Sequence, residues 1–185
     1  MSSKKTPKTS GAASKLANVP PDPMNSKRGV TSWKEAAQWL RARGIEDIEC
    51  ITPDLAGVPR GKMMPSSKFT SNTSLALPSA IYRHTISGDY PEETESFRYE
   101  ALDSDLKLVP DLSTLSVVPW ETDPTAQVIC DVISADGAEC PYTPRNVLKG
   151  VLNLYRERGW KPVVAPEIEF YLVAKNDDPD YPLHP

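Results

Sequence analysis

The chain has 185 residues and a formal net charge of -4. That length suits one ordinary domain, or a small domain with the start of a second, and the negative balance removes the electrostatic case for nucleic acid or an anionic membrane as partner. Its 19 prolines argue against an all-helical fold, because proline breaks helix interiors, and no apolar run approaches the ~20 residues needed to span a bilayer.

Residues 1–29 are Ser, Lys, Thr, Pro and Ala with hardly a large apolar side chain. Such a segment buries too little surface to offset its ordering entropy, so a disordered tail is predicted. It lacks the apolar stretch of a secretory signal, and a mitochondrial presequence would be amphipathic and Arg-rich. Ser32 and Glu35 then form a capping pair at a helix start. Trp33, Ala36, Ala37 and Leu40 follow at helical spacing, and Gly44 supplies the stop.

From there to Ile133 the pattern is one of strands and turns. Residues 48–51 read as a strand ending at Pro53. Asp54-Leu55-Ala56-Gly57 is a turn, and residues 58–64 return as its hairpin partner. Further strands are predicted over residues 80–86, 106–109, 114–118 and 127–133, the last followed by the tight-turn pair Asp136-Gly137. One helix followed by several strands makes residues 30–140 a small α+β unit.

The pattern switches at Pro141. Thr143 is placed to cap a helix and Pro144 to open it. Val147, Val151 and Tyr155 form an apolar row, with Leu148 and Leu152 beside it. Gly159 ends this helix, and residues 163–173 read as a strand, so residues 141–185 look like the start of a second domain. Cys50, Cys130 and Cys140 are an odd number without C-x-x-C spacing. They read as buried thiols in a reducing cytoplasm rather than as a disulfide framework or a zinc site.

The chemistry concentrates in Pro166-Glu167-Ile168-Glu169-Phe170. On a strand, Glu167 and Glu169 share one face, roughly 6 to 7 Å apart, while Ile168 and Phe170 take the other and should pack on the preceding helix. Two like charges so placed repel unless a cation lies between them, and hard carboxylate oxygens suit Mg²⁺ or Mn²⁺. The same alternation also describes a half-exposed strand with a solvated acidic face, and the pair alone leaves both readings open.

Context narrows the choice. Asp54-Leu55-Ala56-Gly57-Val58-Pro59-Arg60-Gly61-Lys62, then residues 103–115 with Asp105 and Pro110-Asp111, then Val118-Pro119-Trp120, Cys130-Asp131-Val132 and Asp136-Gly137, come in one order. Pro144-Arg145-Asn146-Val147-Leu148 and Pro166-Glu167-Ile168-Glu169-Phe170 complete it. This series resembles the glutamine synthetase family from about Thr31 onward. Ser87-Gly88-Asp89-Tyr90-Pro91, Val164-Ala165 and Asp178-Pro179-Asp180-Tyr181 look most like its branch that ligates glutamate to polyamines such as putrescine.

The resemblance implies an N-terminal β-grasp domain followed by the truncated start of an α/β catalytic domain. It implies ATP-dependent amide formation at the γ-carboxylate of glutamate, through a γ-glutamyl phosphate, with ammonia or a polyamine as the amine. Glu167 and Glu169 match the family's two carboxylates on its first catalytic strand, each for a different Mg²⁺ or Mn²⁺ ion. Asp105 matches an N-terminal-domain aspartate near a neighbouring subunit's pocket in a homo-oligomer.

Two departures stand out. The Asp-Gly-Ser-Ser element with which true glutamine synthetases bind ammonium has no counterpart aspartate near His84-Thr85-Ile86-Ser87-Gly88, which agrees with a larger amine. His84 there is either a site-tuning group or a plain strand residue. The family's remaining metal ligands and its phosphate-binding arginines are expected beyond Pro185, so the chain is expected to be a ligase fragment, inactive by itself. The competing expectation is a non-catalytic β-grasp interaction module or a degenerate relative. A phosphate-loop or dinucleotide enzyme is excluded, since the nine glycines form neither G-x-G-x-x-G nor G-x-x-x-x-G-K.

Overall fold

The computed structural model describes residues 29–71, 75–89 and 104–176. The predicted tail up to residue 28 and the stretch Asp178-Pro179-Asp180-Tyr181 lie outside them, as do Tyr90 and Pro91. Gly29, assigned to the tail from sequence, donates its amide to Leu115 O at 3.0 Å. By packing, the chain divides into two units, Met1–Gly150 and Val151–Pro185.

In the first unit, α1 (Trp33–Ala42) starts as its capping residues dictate. Ser32 Oγ accepts from Glu35 N at 3.3 Å, and Glu35 Oε2 reaches back to Thr31 N at 2.8 Å. The first bond satisfies an amide that a helix start leaves without a partner; the second holds the residue before the cap, Thr31, rather than the cap's own amide. Gly44, at φ 61°, closes the C-terminus in a conformation that a Cβ disfavours.

β1 (Asp47–Pro53) and β2 (Pro59–Pro65) form the expected hairpin. After α2 (Ser66–Thr70) come β3 (Leu75–Pro78), β4 (Asp105–Pro110), β5 (Ser116–Val117) and β6 (Thr125–Ile133). The sheet is mixed and runs β2-β1-β6-β4-β3, with β5 also on β6. The pairing of β1 with β6 is parallel; β4 and β5 meet β6 antiparallel. Period-2 alternation gives β6 a buried row of Ala126, Val128, Cys130 and Val132, none more than 1% exposed. That row joins Ile48 and Cys50 of β1, Leu106 and Leu108 of β4, and Ala36, Trp39 and Leu40 of α1 in one core.

Two expectations in this unit need correcting. Residues 80–86 are not a strand: β3 precedes them, and Ser79–Arg83 is a 3-10 helix. Pro78 has no amide to continue the ladder, and buried Tyr82 ties the segment to Thr52 through its hydroxyl at 3.3 Å. The strand predicted over residues 114–118 shrinks to Ser116–Val117. Asp111 Oδ1 accepts from Ser113 N at 3.1 Å, a local side-chain bond that curls Leu112–Thr114 into another 3-10 turn.

α3 (Pro144–Glu157) forms as predicted, and Gly159 follows it at φ 68°. Thr143, directly before α3, is buried; its O accepts from Val147 N at 3.0 Å and its hydroxyl donates to Cys140 O at 3.2 Å. In the second unit, Tyr155 and Trp160 meet edge to face, ring centroids 6.1 Å apart. The strand expected over residues 163–173 is absent: residues 161–176 carry no regular secondary structure. Ile168 and Phe170, expected to pack on the helix, are 84% and 78% exposed. A strand exists only as a member of a ladder, and no described residue supplies one. Among the described residues, no helix is long and apolar enough to cross a membrane.

Candidate functional site

Asp54 heads the hairpin loop and is 1% exposed. Its Oδ1 accepts from Ala56 N and Val58 N, both at 2.9 Å, and its Oδ2 from Arg60 Nε at 2.8 Å. Burial alone would raise this carboxyl, but the Arg60 bond and the two amides outweigh it and hold its pKa below the ordinary value. One side chain thus fixes the loop from Leu55 to Val58, as an Asx-type turn does.

A second charged cluster ties the first turns of α3 to the sheet. Arg145 Nε donates to Asp131 Oδ1 at 2.7 Å, and its Nη2 to Asp111 Oδ2. Lys149 pairs with the other oxygen of Asp131. Asn146, nearly buried, donates to Val132 O at 2.7 Å and Cys140 O at 3.0 Å. Asp111 would be raised by burial, but its bonds from Ser113 and the charges of Arg145 and Lys149 lower its pKa overall. Sequence reasoning missed this network, although its signals were present: Arg145 and Lys149 are one helical turn apart, and alternation puts Asp131 on the outer row of β6.

Replacing Arg145 with Ala leaves Asp111 and one oxygen of Asp131 without a cation. Both carboxylates are 24% exposed, so the expected loss is about 1–2 kcal/mol, below that for a fully buried pair. Urea unfolding measures the loss, and amide exchange should accelerate within residues 144–150. An unchanged urea midpoint would mean that the cluster is ornamental.

The sequence-derived site residues are placed as follows. Asp105 is the exposed first residue of β4, paired through its backbone with Pro78. His84 follows a 3-10 helix rather than sitting in a strand. Close by, Asp89 Oδ2 accepts from Ser87 Oγ at 2.8 Å, within the Ser87-Gly88-Asp89 stretch that carries the likeness to the polyamine branch. Glu167 and Glu169 are solvent-exposed on the irregular segment of the second unit. Their hard oxygen donors fit a divalent cation in kind. In number they do not, for Mg²⁺ takes six ligands and no group of three or more potential metal-ligating side chains occurs among the described residues. The cysteines are free and buried, and contact with Cys50 together with burial pushes the Cys130 thiol up, which keeps it inert.

Residues 141–184 match the model of the glutamine synthetase catalytic domain. Over 161 residues the chain is 30% identical to the gamma-glutamylputrescine synthetase of Escherichia coli (strain K12), an overlap of 86% of this chain and 34% of that protein. It is 43% identical over 152 residues to a glutamine synthetase of Methanocaldococcus jannaschii, covering 80% of this chain and 32% of that one. The crystal structure of a novel glutamine synthase homolog superposes with a TM-score of 0.53 at 22% identity, over 62% of this chain and 27% of that one. At that identity the likeness speaks for the fold alone. The chain spans about a third of the length of these curated relatives.

Proposed function

Because this chain belongs to the glutamine synthetase family, we propose that it is the front part of an ATP-dependent ligase joining the γ-carboxylate of glutamate to an amine. The observation that carries the reading is the coincidence of the family match over residues 141–184 with the pair Glu167 and Glu169 inside it. In this reading residues 30–140 are the β-grasp domain, in support of which stands a parallel central pair, β1 and β6, with a hairpin strand on one side and an antiparallel strand on the other. Residues 141–185 begin the catalytic domain.

Glu167 and Glu169 are the residues that would hold Mg²⁺ or Mn²⁺. When bound, such an ion offsets negative charge on the phosphate groups of ATP. Asp105, exposed at a strand end, is read as a substrate-side residue for a neighbouring copy in a homo-oligomer. Cytoplasmic residence is part of the proposal, with three free cysteines in its favour. Two carboxylates on an exposed segment hold a hard cation only loosely, since water fills the rest of the shell, and a phosphoryl-transfer site needs cationic clamps besides. The 185 residues are therefore proposed to be inactive without the remainder of a catalytic domain.

For the amine, a polyamine is favoured by the likeness to the putrescine enzyme and by the missing Asp-Gly-Ser-Ser aspartate. Ammonium is the second reading, favoured by the 43% identity to an archaeal glutamine synthetase. The test is phosphate release with ATP, Mg²⁺, glutamate and either putrescine or ammonium, run on this chain and on a longer form that carries the rest of a catalytic domain. Release is expected only from the longer form, and faster with putrescine. Turnover by the short chain would overturn the inactivity, ammonium preference the polyamine assignment, and silence of both forms would leave the non-catalytic module.

A further inference from the structure

Two nucleophiles in the core take no part in the ligase reading. Cys50 of β1 and Cys130 of β6 are free thiols, each 0% exposed, on the two strands that pair in parallel at the centre of the sheet. Cys130 belongs to the buried row of β6, and alternation puts Cys50 on the same side of β1 as buried Ile48. Contact with Cys50, reinforced by burial, raises the Cys130 thiol above its ordinary range, and its Sγ donates to Val128 O at 4.0 Å. In the folded chain the pair therefore has neither thiolate character nor solvent access, the two requirements of thiol–disulfide exchange.

The register decides what a link between them does to the sheet. Cys50 stands opposite Val128, and Cys130 follows two residues further along β6. One pleat repeat along the strand and one strand spacing across it set their Cα atoms roughly 8 Å apart. A disulfide takes Cα atoms about 4.4–6.8 Å apart. A slip of β6 by one residue would turn Cys130 to the outer face. A slip by two brings it opposite Cys50, roughly 4.8 Å away, with its face unchanged. That slip removes Gln127 from Glu49, ending their bond of 3.0 Å, and Pro124 O from Glu46 N, ending one of 2.9 Å.

We propose that Cys50 and Cys130 make the sheet redox-sensitive: a disulfide between them and the native β1–β6 register exclude one another, so a low-molecular-weight disulfide holds the chain out of its fold until a thiol releases it. The reaction is a pair of exchanges. The Cys50 thiolate attacks the reagent and expels one thiol, leaving a mixed disulfide; the Cys130 thiolate then attacks the Cys50 sulfur and expels the other. The protein gives up the two thiol protons and two electrons, and the reagent is reduced to two thiols. Both thiols are open to the reagent only while β6 is not seated on β1, which confines the reaction to the unfolded or incompletely folded chain. The proposal is independent of the ligase reading.

The test uses the full 185-residue chain carrying Cys140→Ala, which leaves one intramolecular pair, with glutathione disulfide as oxidant. Folded, this chain should keep both thiols and take up no glutathione over hours. Unfolded in urea, it should close the Cys50–Cys130 link, seen by mass as the loss of two hydrogens and located by peptide mapping. After removal of urea, amide exchange within residues 47–53 and 125–133 should be at least about a hundredfold faster in the linked chain than in the reduced one, and dithiothreitol should restore the slow rate. The same chain with Cys50→Ala/Cys130→Ala added should exchange alike with and without glutathione disulfide, which separates the link from the handling. Equal protection of the linked and reduced chains, closure of the link in the folded chain, or no link in urea would overturn the proposal. Should Cys140→Ala fail to fold when reduced, the linked forms of the parent chain, separated by chromatography, decide by the same exchange rates.

Discussion

Asp54→Ala is expected to lower the stability of the sheet unit by about 3 kcal/mol, a large fraction of what a domain of this size possesses. The side chain is 1% exposed and accepts from two loop amides and Arg60. Truncation leaves those amides short of a partner and a guanidinium, 29% exposed, without its counter-charge. Breaking one side of such a pair costs more than the pair contributes, because the surviving groups stay desolvated. Asp54→Asn keeps the shape and one acceptor, so it should recover part of the loss. Urea unfolding measures both.

The pH dependence has a definite sign. The folded-state pKa of Asp54 lies below its ordinary value, so its contribution is fully present above about pH 4 and disappears as pH falls through the lower, folded value. Asp54→Asn should flatten this acid limb. An acid limb identical in both proteins would show that Asp54 is not a source of it.

The second large effect concerns the carboxylate pair. In a longer form with ligase activity, Glu167→Gln or Glu169→Gln should each reduce phosphate release by about a hundredfold or more, since on the proposed reading each would remove a charged ligand from a metal on which charge stabilisation depends. The short chain offers a separate readout. Free Mn²⁺, followed by its electron paramagnetic resonance signal, should be depleted weakly by the parent chain and less by Glu167→Gln/Glu169→Gln. If both chains deplete Mn²⁺ alike, the pair is a solvated acidic stretch and the metal assignment fails.

Local rules account for the elements that were legible in advance. α1 follows from Ser32, Glu35 and Gly44, the first hairpin from Asp54 and Gly57, and β6 from strict alternation. Each of these signals is complete within a few residues. The errors came where the deciding partner is distant or absent. Ala80 and Tyr82 are buried at a spacing of two, as in a strand, yet the hydroxyl of Thr52, 30 positions away, holds that segment in a 3-10 helix. Residues 163–173 alternate as a strand should, but alternation describes which face a residue would take and supplies no neighbouring strand. The same limit applies to the site: the spacing of Glu167 and Glu169 is a property of the sequence, whereas their burial is not. Arg145 and Asp111, 34 positions apart, meet only because β4 and β6 have already paired.

The parallel pairing of β1 with β6 also bears on how the chain reaches its fold. Glu49 and Gln127 are neighbours in space and 78 positions apart in sequence. Closing a flexible loop of that size costs on the order of 4 kcal/mol of entropy before any contact offsets it. The β1–β2 hairpin can form alone at little such cost, so the inner edge of β1 stands open until β6 arrives. During synthesis, at about 5–20 residues per second, that wait is roughly 4–16 s. For those seconds Ile48 and Cys50 have no β6 beneath which to bury, and the nascent chain depends on whatever shields an open strand edge.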